Sequence, residues 1–155
     1  MKLSASQSFR LPCTVETAFD DTLDATHWPE FAGWWFIPGI VSATQNAAGP
    51  VTLGTRHNVT NSDGSHHSEE IVALDRPRTH TRRVLGLTGA FSLIVRQMEE
   101  IWTFSPLASG CDAKRVFYFE LTNRAFCPIG LFLLVPFRQA MKRHAARIAA
   151  RLGGR

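Results

Sequence analysis

The sequence predicts an α+β domain: a strand and two short helices, a run of antiparallel strands, then one long C-terminal helix segregated from them. Three observations carry that prediction. Leu3, Ala5, Gln7 and Phe9 alternate with Ser4, Ser6, Ser8 and Arg10, the period of a half-buried strand. Turn residues recur at short intervals through the middle of the chain. Towards the C-terminus Leu134, Phe137, Met141, Ala145, Ile148 and Leu152 recur at spacings of three and four, forming one apolar stripe along a helix.

Taken in order, the first strand is ended by Pro12. Thr14 can cap a helix from Val15 to about Leu23, because its hydroxyl can accept from a free N–H of the first turn, where Glu16 also meets the positive end of the helix dipole. Val15, Ala18, Phe19, Thr22 and Leu23 supply the buried stripe of this helix. His27-Trp28-Pro29-Glu30-Phe31 reads as a short second helix or turn, and Trp34-Trp35-Phe36 follows, ending at Pro38-Gly39. Asn46-Ala47-Ala48-Gly49-Pro50, Asn61-Ser62-Asp63-Gly64, Asp75-Arg76-Pro77 and Ser109-Gly110 then punctuate five or six β segments. These fall near residues 40–45, 53–61, 65–74, 79–87, 91–104 and 114–122, and connections this short make neighbours antiparallel. The last helix runs from about Pro128 to Leu152. Proline is tolerated in its first turn, but Pro136 lies inside and predicts a kink or a later start. Gly153-Gly154 stops it. No repeat or linker divides the chain, so one domain over residues 1–155 is expected.

With 45% apolar and 19% charged residues the chain is not of the disordered class. Eleven Phe against one Tyr favour a dry interior, since Phe needs no polar partner. The net charge of +4 is a property of the tail. Arg138, Lys142, Arg143, Arg147, Arg151 and Arg155 stand there without an acid, whereas the rest of the chain holds 11 basic and 13 acidic side chains. Cys13, Cys111 and Cys127 lack metal-ligand spacing and read as reduced thiols of an intracellular protein. The N-terminus has no apolar signal region, and the apolar run from Ala125 to Phe137 is shorter than the roughly 18 residues that span a bilayer, so a cytoplasmic location is expected.

Five short patterns stand in a telling order: Phe9-x-x-Pro12 ahead of the first helix, His27-Trp28-Pro29-Glu30-Phe31, Gly54-Thr55-Arg56, Glu69-x-Ile71-x-x-Leu74-Asp75-x-Pro77, and Glu100-x-Trp102-x-Phe104. Over nearly the whole chain this order resembles the START-like, or SRPBCC, superfamily, and within it the polyketide cyclase/dehydratase and lipid-transport branch. The resemblance implies a helix-grip fold: a curved antiparallel sheet of about seven strands wrapped around a long C-terminal helix, with two short helices after the first strand. It also implies an internal cavity for a lipid, a sterol-like molecule, a polyketide or a plant hormone, with cyclisation or dehydration in a minority of members. One departure is Gly110-Cys111-Asp112, where the family carries Gly-Thr near the start of the last strand.

Candidate cavity residues follow from strand alternation. Phe91, Leu93 and Val95 share one face, and Phe117, Phe119 and Leu121 another; the same pattern also describes a plain core. Beyond Val95 the Phe91 face continues to Gln97 and Glu99, His57 and Asn61 share a face with Val59, and Arg83 shares one with Thr81 and Leu85. His57, Arg83, Gln97 and Glu99 are therefore the candidates for acid–base catalysis in a dry cavity. Trp102 and Phe104 fall on the parity opposite to Phe91, so a bulge in this strand would exchange its faces, which leaves its inward set open. Leu134, Phe137 and Met141 are the helix side of the expected lining, and the aromatics Phe31, Trp34, Trp35 and Phe36 suit either its mouth or a plug at one end of the sheet.

Neither a metal nor another cofactor is expected. His66 and His67 are adjacent on a strand and point to opposite faces, and no HExxH, CxxC, GxSxG or Gly-rich phosphate loop occurs. The partner expected is a small hydrophobic molecule, with the protein a monomer or homodimer. Nucleic acid is not expected, because the cations lie on one helix without interleaved aromatics. That basic helix reads either as an ordinary solvated face or, beside Ile129, Leu131 and Phe132, as a contact with a membrane surface or a protein. Three functions stand together at this point: a carrier or sensor of a hydrophobic ligand, a cyclase/aromatase or dehydratase, and an interaction module.

Overall fold

Six consecutive strands each pair with the next, because every connection between them is short enough to turn the chain back on itself. The computed structural model describes residues 1–154, so Arg155, the last of the basic tail, lies outside the described residues. The elements are β1 (Lys2–Leu11), α1 (Val15–Leu23), a 3-10 turn (Ala25–Glu30), β2 (Ile40–Gln45), β3 (Arg56–Asn61), β4 (His66–Asp75), β5 (Thr79–Leu85), α2 (Phe91–Ile94), β6 (Val95–Pro106), β7 (Cys111–Leu121), a second 3-10 turn (Arg124–Phe126) and α3 (Cys127–Gly153). The sheet is fully antiparallel in the order β1-β7-β6-β5-β4-β3-β2. α1 and the first 3-10 turn carry the chain from one edge of the sheet to the other. This curved seven-stranded sheet with its long C-terminal helix is the helix-grip architecture.

α1 starts as its residues predict, with Thr14 Oγ1 accepting from the Thr17 amide at 3.3 Å. α3 runs unbroken through Pro136 instead of starting after it. The proline removes one backbone hydrogen bond on the side of the helix that is packed against the sheet, where burial of its ring offsets the loss. Gly130 lets the first turns of α3 lie close on β1 and β7: a Cβ there would stand 2.7 Å from Leu3 Cδ1 and 3.2 Å from Leu121 Cδ2.

One expected strand is corrected. Residues 91–94 form a helical turn, α2, closed by the Ser92 and Leu93 amides on the carbonyls of Gly89 and Ala90, both at 3.2 Å. β6 therefore begins at Val95. A bulge follows at once, where Val95 and Gln97 oppose the consecutive residues Leu121 and Glu120. Val95, Met98, Glu100, Trp102 and Phe104 face inward, while Gln97 and Glu99 face outward. On β5 the inward set is His80, Arg82 and Val84, so Arg83 also faces outward, where it pairs with Glu99 at 2.9 Å.

The interior consists of two apolar clusters. One gathers Phe31, Val84, Met98, Phe117, Phe119, Phe137 and Met141, with Leu3, Leu134 and other neighbours. The other gathers Leu11, Phe19, Ile71, Trp102, Phe104, Ile148 and Leu152 with their neighbours. A belt of polar side chains crosses the concave face between them. His57 of β3, Glu69 of β4, Arg82 of β5, Glu100 of β6, Arg115 of β7 and His144 of α3 are all buried. His57 lies directly across from Glu69, and Arg82 directly across from Glu100.

Candidate functional site

A cavity of about 90 Å³ opens between the sheet and α3. Phe31, Ile37, Leu87, Phe91, Phe117 and Phe137 give it apolar walls, and Asn61, His67, Glu69 and Arg115 close its polar end. An adjoining lobe of about 30 Å³ shares Phe31, Ile40, Glu69 and Arg115 and continues to Arg82, Glu100 and His144. The hollow thus runs from an aromatic end into the charged belt.

The aromatic walls hold each other in place. The Phe137 ring meets Phe117 and Phe119 edge-on, each with centroids 4.9 Å apart. Among the other residues predicted from the sequence, Val95, Phe119 and Leu134 border a separate void of about 10 Å³ beneath α3, and Met141 is buried in the same cluster. His57 and Val59 are buried on the inner face beside the cavity, with His57 tilted against Trp28 at 4.7 Å. Leu93 is 69% exposed and lies outside the cavity. Trp34, Trp35 and Phe36 border a shallow outer depression, the far side of the wall made by Ile37 and Pro38. Arg83, Gln97 and Glu99 are on the outer face, so His57 alone of the four catalytic candidates points inward.

The belt itself escaped the sequence reading. Glu100 bridges two guanidiniums, accepting from Arg115 Nε and pairing with Arg82 Nη2. Arg82 also reaches Glu69 at 3.2 Å. Arg115 Nη1 donates to His144 Nδ1 at 2.9 Å. That bond places the proton of His144 on Nε2, and burial together with the nearby Arg115 pushes its pKa down to about 2. Burial pushes the Glu69 carboxyl up, but Arg82 and the His67 hydrogen bond outweigh it and hold the group down at about 2. Trp28 lies over the Arg82 guanidinium at 4.2 Å, and Phe117 lies beside that of Arg115 at 4.6 Å.

At the cavity end of the belt stands a second arrangement that the sequence reading missed. Asn61 Nδ2 lies 3.3 Å from His67 Nδ1, and His67 Nε2 lies 3.2 Å from Glu69 Oε1. An amide nitrogen is a donor only, so Nδ1 accepts and Nε2–H donates to the carboxylate. Asn61, His67 and Glu69 occupy every second residue of β3 and β4 on the inner face, a signal present in the sequence once the strand registers are known.

Comparison with known proteins agrees with this architecture. No curated protein matches the sequence significantly. Among solved structures, that of Ara h 8.0201 superimposes with a TM-score of 0.69 at 18% identity, covering 97% of this chain and 99% of that one. Norcoclaurine synthase from Thalictrum flavum, in complex with dopamine and hydroxybenzaldehyde, gives 0.65 at 12% identity over 97% of this chain and 88% of that one. Protein Ms6760 from Mycobacterium smegmatis gives 0.62 at 15% identity over 98% and 92%. At these identities the likeness is one of fold. Residues 2–153 match the sequence model described as polyketide cyclase / dehydrase and lipid transport, and the chain belongs to that family.

Proposed function

We propose that this protein binds a small, mainly apolar molecule with one polar end, seated between the sheet and α3. The observation that carries this reading is the cavity whose aromatic wall runs into Asn61, His67, Glu69 and Arg115. Phe91, Phe117 and Phe137 take the apolar body of the ligand, and the polar end meets the belt. The belt balances two carboxylates against two guanidiniums, which favours a neutral carbonyl or hydroxyl over a further charge. At about 90 Å³ the cavity is below the roughly 300–1,000 Å³ of ordinary ligand sites. A lipid, sterol-like molecule or extended polyketide therefore needs Phe31, Leu87 and Phe91 to move, whereas small aromatics of the dopamine and hydroxybenzaldehyde class, held by the Thalictrum flavum relative in fold, need less.

Native mass spectrometry of protein taken straight from expression should show a retained small molecule. A hydrophobic library should also contain members that raise the melting temperature. At 100 times its dissociation constant a ligand adds about 2.7 kcal/mol, an effect of several degrees. If no mass is retained and no library member shifts the melt, the binding reading fails.

The Asn61–His67–Glu69 arrangement supports a second reading, acid–base catalysis of the cyclase or dehydratase type in the same cavity. With the substrate displacing the Asn61 amide from its lone pair, His67 Nδ1 would take a proton from a carbon next to a carbonyl, with Glu69 steadying the imidazolium and Arg115 the enolate oxygen. For a ketone found bound to the protein, wild type in D2O should exchange the α-hydrogens, followed by mass, and His67→Gln should exchange at least 100-fold more slowly while still binding. Equal rates in the two proteins would leave only the binding function.

A further inference from the structure

The outer face of the molecule beside the cavity carries an apolar surface that the interior does not need. Trp35 is 70% exposed and Phe36 43%, and both rings lie against Phe132 of α3, itself 56% exposed, with centroids 6.1 and 5.9 Å away. Next to Phe132, Leu131, and about one turn to either side Ile129 and Val135, are exposed as well. Along the same outward side of α3 follow Arg138, Lys142 and Arg143, all exposed, and Arg143 lies 5.7 Å over the Trp34 ring. No acid occurs on α3. Arg147 and Arg151 do not belong to this stripe, because they are engaged with Glu30, and Arg151 also with Asp21.

Backbone geometry shows that the exposure of Trp35 is held in place. Trp34 and Ile37 exchange both backbone hydrogen bonds at 3.0 Å, closing a two-residue turn over Trp35 and Phe36. Trp35 sits at its first central position with φ +55°, where glycine is the preferred residue. Gly33 fixes the base of the turn: its φ is +69°, and a Cβ there would stand 2.1 Å from the Ile37 carbonyl oxygen. A bulky indole is thus kept in a strained conformation and pointed away from the core. The same loop forms the cavity wall, since Ile37 and Pro38 face both the cavity and the outer depression.

We propose that this surface docks on an anionic lipid bilayer, with Trp35, Phe36 and Phe132 in the interfacial layer and Arg138, Lys142 and Arg143 on the headgroups. Aromatic rings with adjoining cations are the composition that rests at a membrane surface. Among the described residues no helix is long and apolar enough to cross a membrane, so the contact is peripheral. A second copy of the chain is a poorer occupant. A two-fold contact through this face would bring two acid-free cationic stripes together, and the acid that borders the outer depression, Asp63, is already tied to the Ser65 amide and hydroxyl. Docking here sets the thin Ile37–Pro38 wall of the cavity next to lipid. The inference stands on this surface alone and does not require the cavity to hold a ligand.

Full-length protein would be sedimented with phosphatidylcholine vesicles, with and without phosphatidylglycerol, while tryptophan emission is followed. Binding is expected to the anionic vesicles with a blue shift, and to weaken as salt rises. Trp35→Gly suits its own backbone, so it should melt no lower than wild type yet bind at least ten-fold more weakly. Arg138→Gln and Lys142→Gln should each lose about five-fold. Three results would overturn the proposal: no binding to anionic vesicles at low salt, undiminished binding by Trp35→Gly, or light scattering that shows a wild-type dimer turned monomeric by Trp35→Gly.

Discussion

Replacing Glu100 by Gln should lower the unfolding free energy by about 3–5 kcal/mol, the range for removing one partner of a buried ion pair. Glu100 is 2% exposed and is the shared acceptor of Arg82 and Arg115. Without it two guanidiniums remain in the interior with Glu69 as their one nearby carboxylate. For a domain of this size the melting temperature should fall by roughly 10 °C or more. The control is one residue away. Glu99→Gln breaks the Arg83–Glu99 pair, in which the Arg83 side chain is 43% exposed, and should cost less than about 1 kcal/mol. Urea unfolding with an unchanged m-value measures both. Equal costs for the two variants would contradict the assignment of Glu100 to the inner face.

Stability should also fall steeply as the pH drops below about 6.5. His144 is neutral in the native state, with its pKa pushed to about 2 by burial and by Arg115. His80 is held well below 6.5 by burial and by Arg82, and Thr22 Oγ1, 2.9 Å from its Nε2, already gives its proton to the Phe19 carbonyl. His57 is lowered by burial and by Arg82. Each folded value lies below the unfolded one, so the unfolded chain takes up protons that the native chain refuses. The native state therefore keeps its full stability above about pH 6.5 and loses it progressively as the pH falls towards the folded values. His144 alone makes the slope about 1.4 kcal/mol per pH unit and the loss at pH 5 about 2 kcal/mol, and His80 adds to the loss in the same direction. Against the roughly 5–15 kcal/mol of an ordinary domain, that loss is readily measured. Below pH 4.5, Glu69 adds to the loss with the same sign, since its folded value is depressed to about 2. Denaturant titrations between pH 7 and pH 5 should show this slope, and His144→Gln should reduce it by one proton. A flat profile would mean that these imidazoles are not buried as neutral groups.

The two sets of variants bear on why the site was hard to read in the sequence. Arg82-Arg83 on β5 faces Glu100-Glu99 on β6, so either strand parity matches an arginine with a glutamate, and charge alone leaves the inner pair undecided. Anchoring the parity on Phe91 brought Gln97 and Glu99 inside, and anchoring it on Leu85 brought Arg83. The α2 turn and the bulge after Val95 put Glu100 there instead. Trp102 and Phe104 already stood on the Glu100 parity and were the better guide. His67 and Asn61 converge only through the β3–β4 register, which short turns make antiparallel but do not number.

Local chemistry in the sequence determined the α+β order of strands and helices, and the order of the family patterns pointed from there to the helix grip. Alternation in β1, the Thr14 cap, the turn residues between strands and the 3.6-residue stripe of α3 are each decided within a few residues of the chain. The strand bounds 40–45 and the start and end of α1 follow from such signals unaided. Tertiary structure alone decided which polar residues lie inside, because a one-residue slip turns a whole strand over at little local cost. It also decided that Trp34, Trp35 and Phe36 border the outer depression while Ile37 and Pro38 make the cavity wall, and that a charged belt crosses the interior. The cost of burying that belt is met only when five strands and α3 bring its members together, and no single segment carries the information.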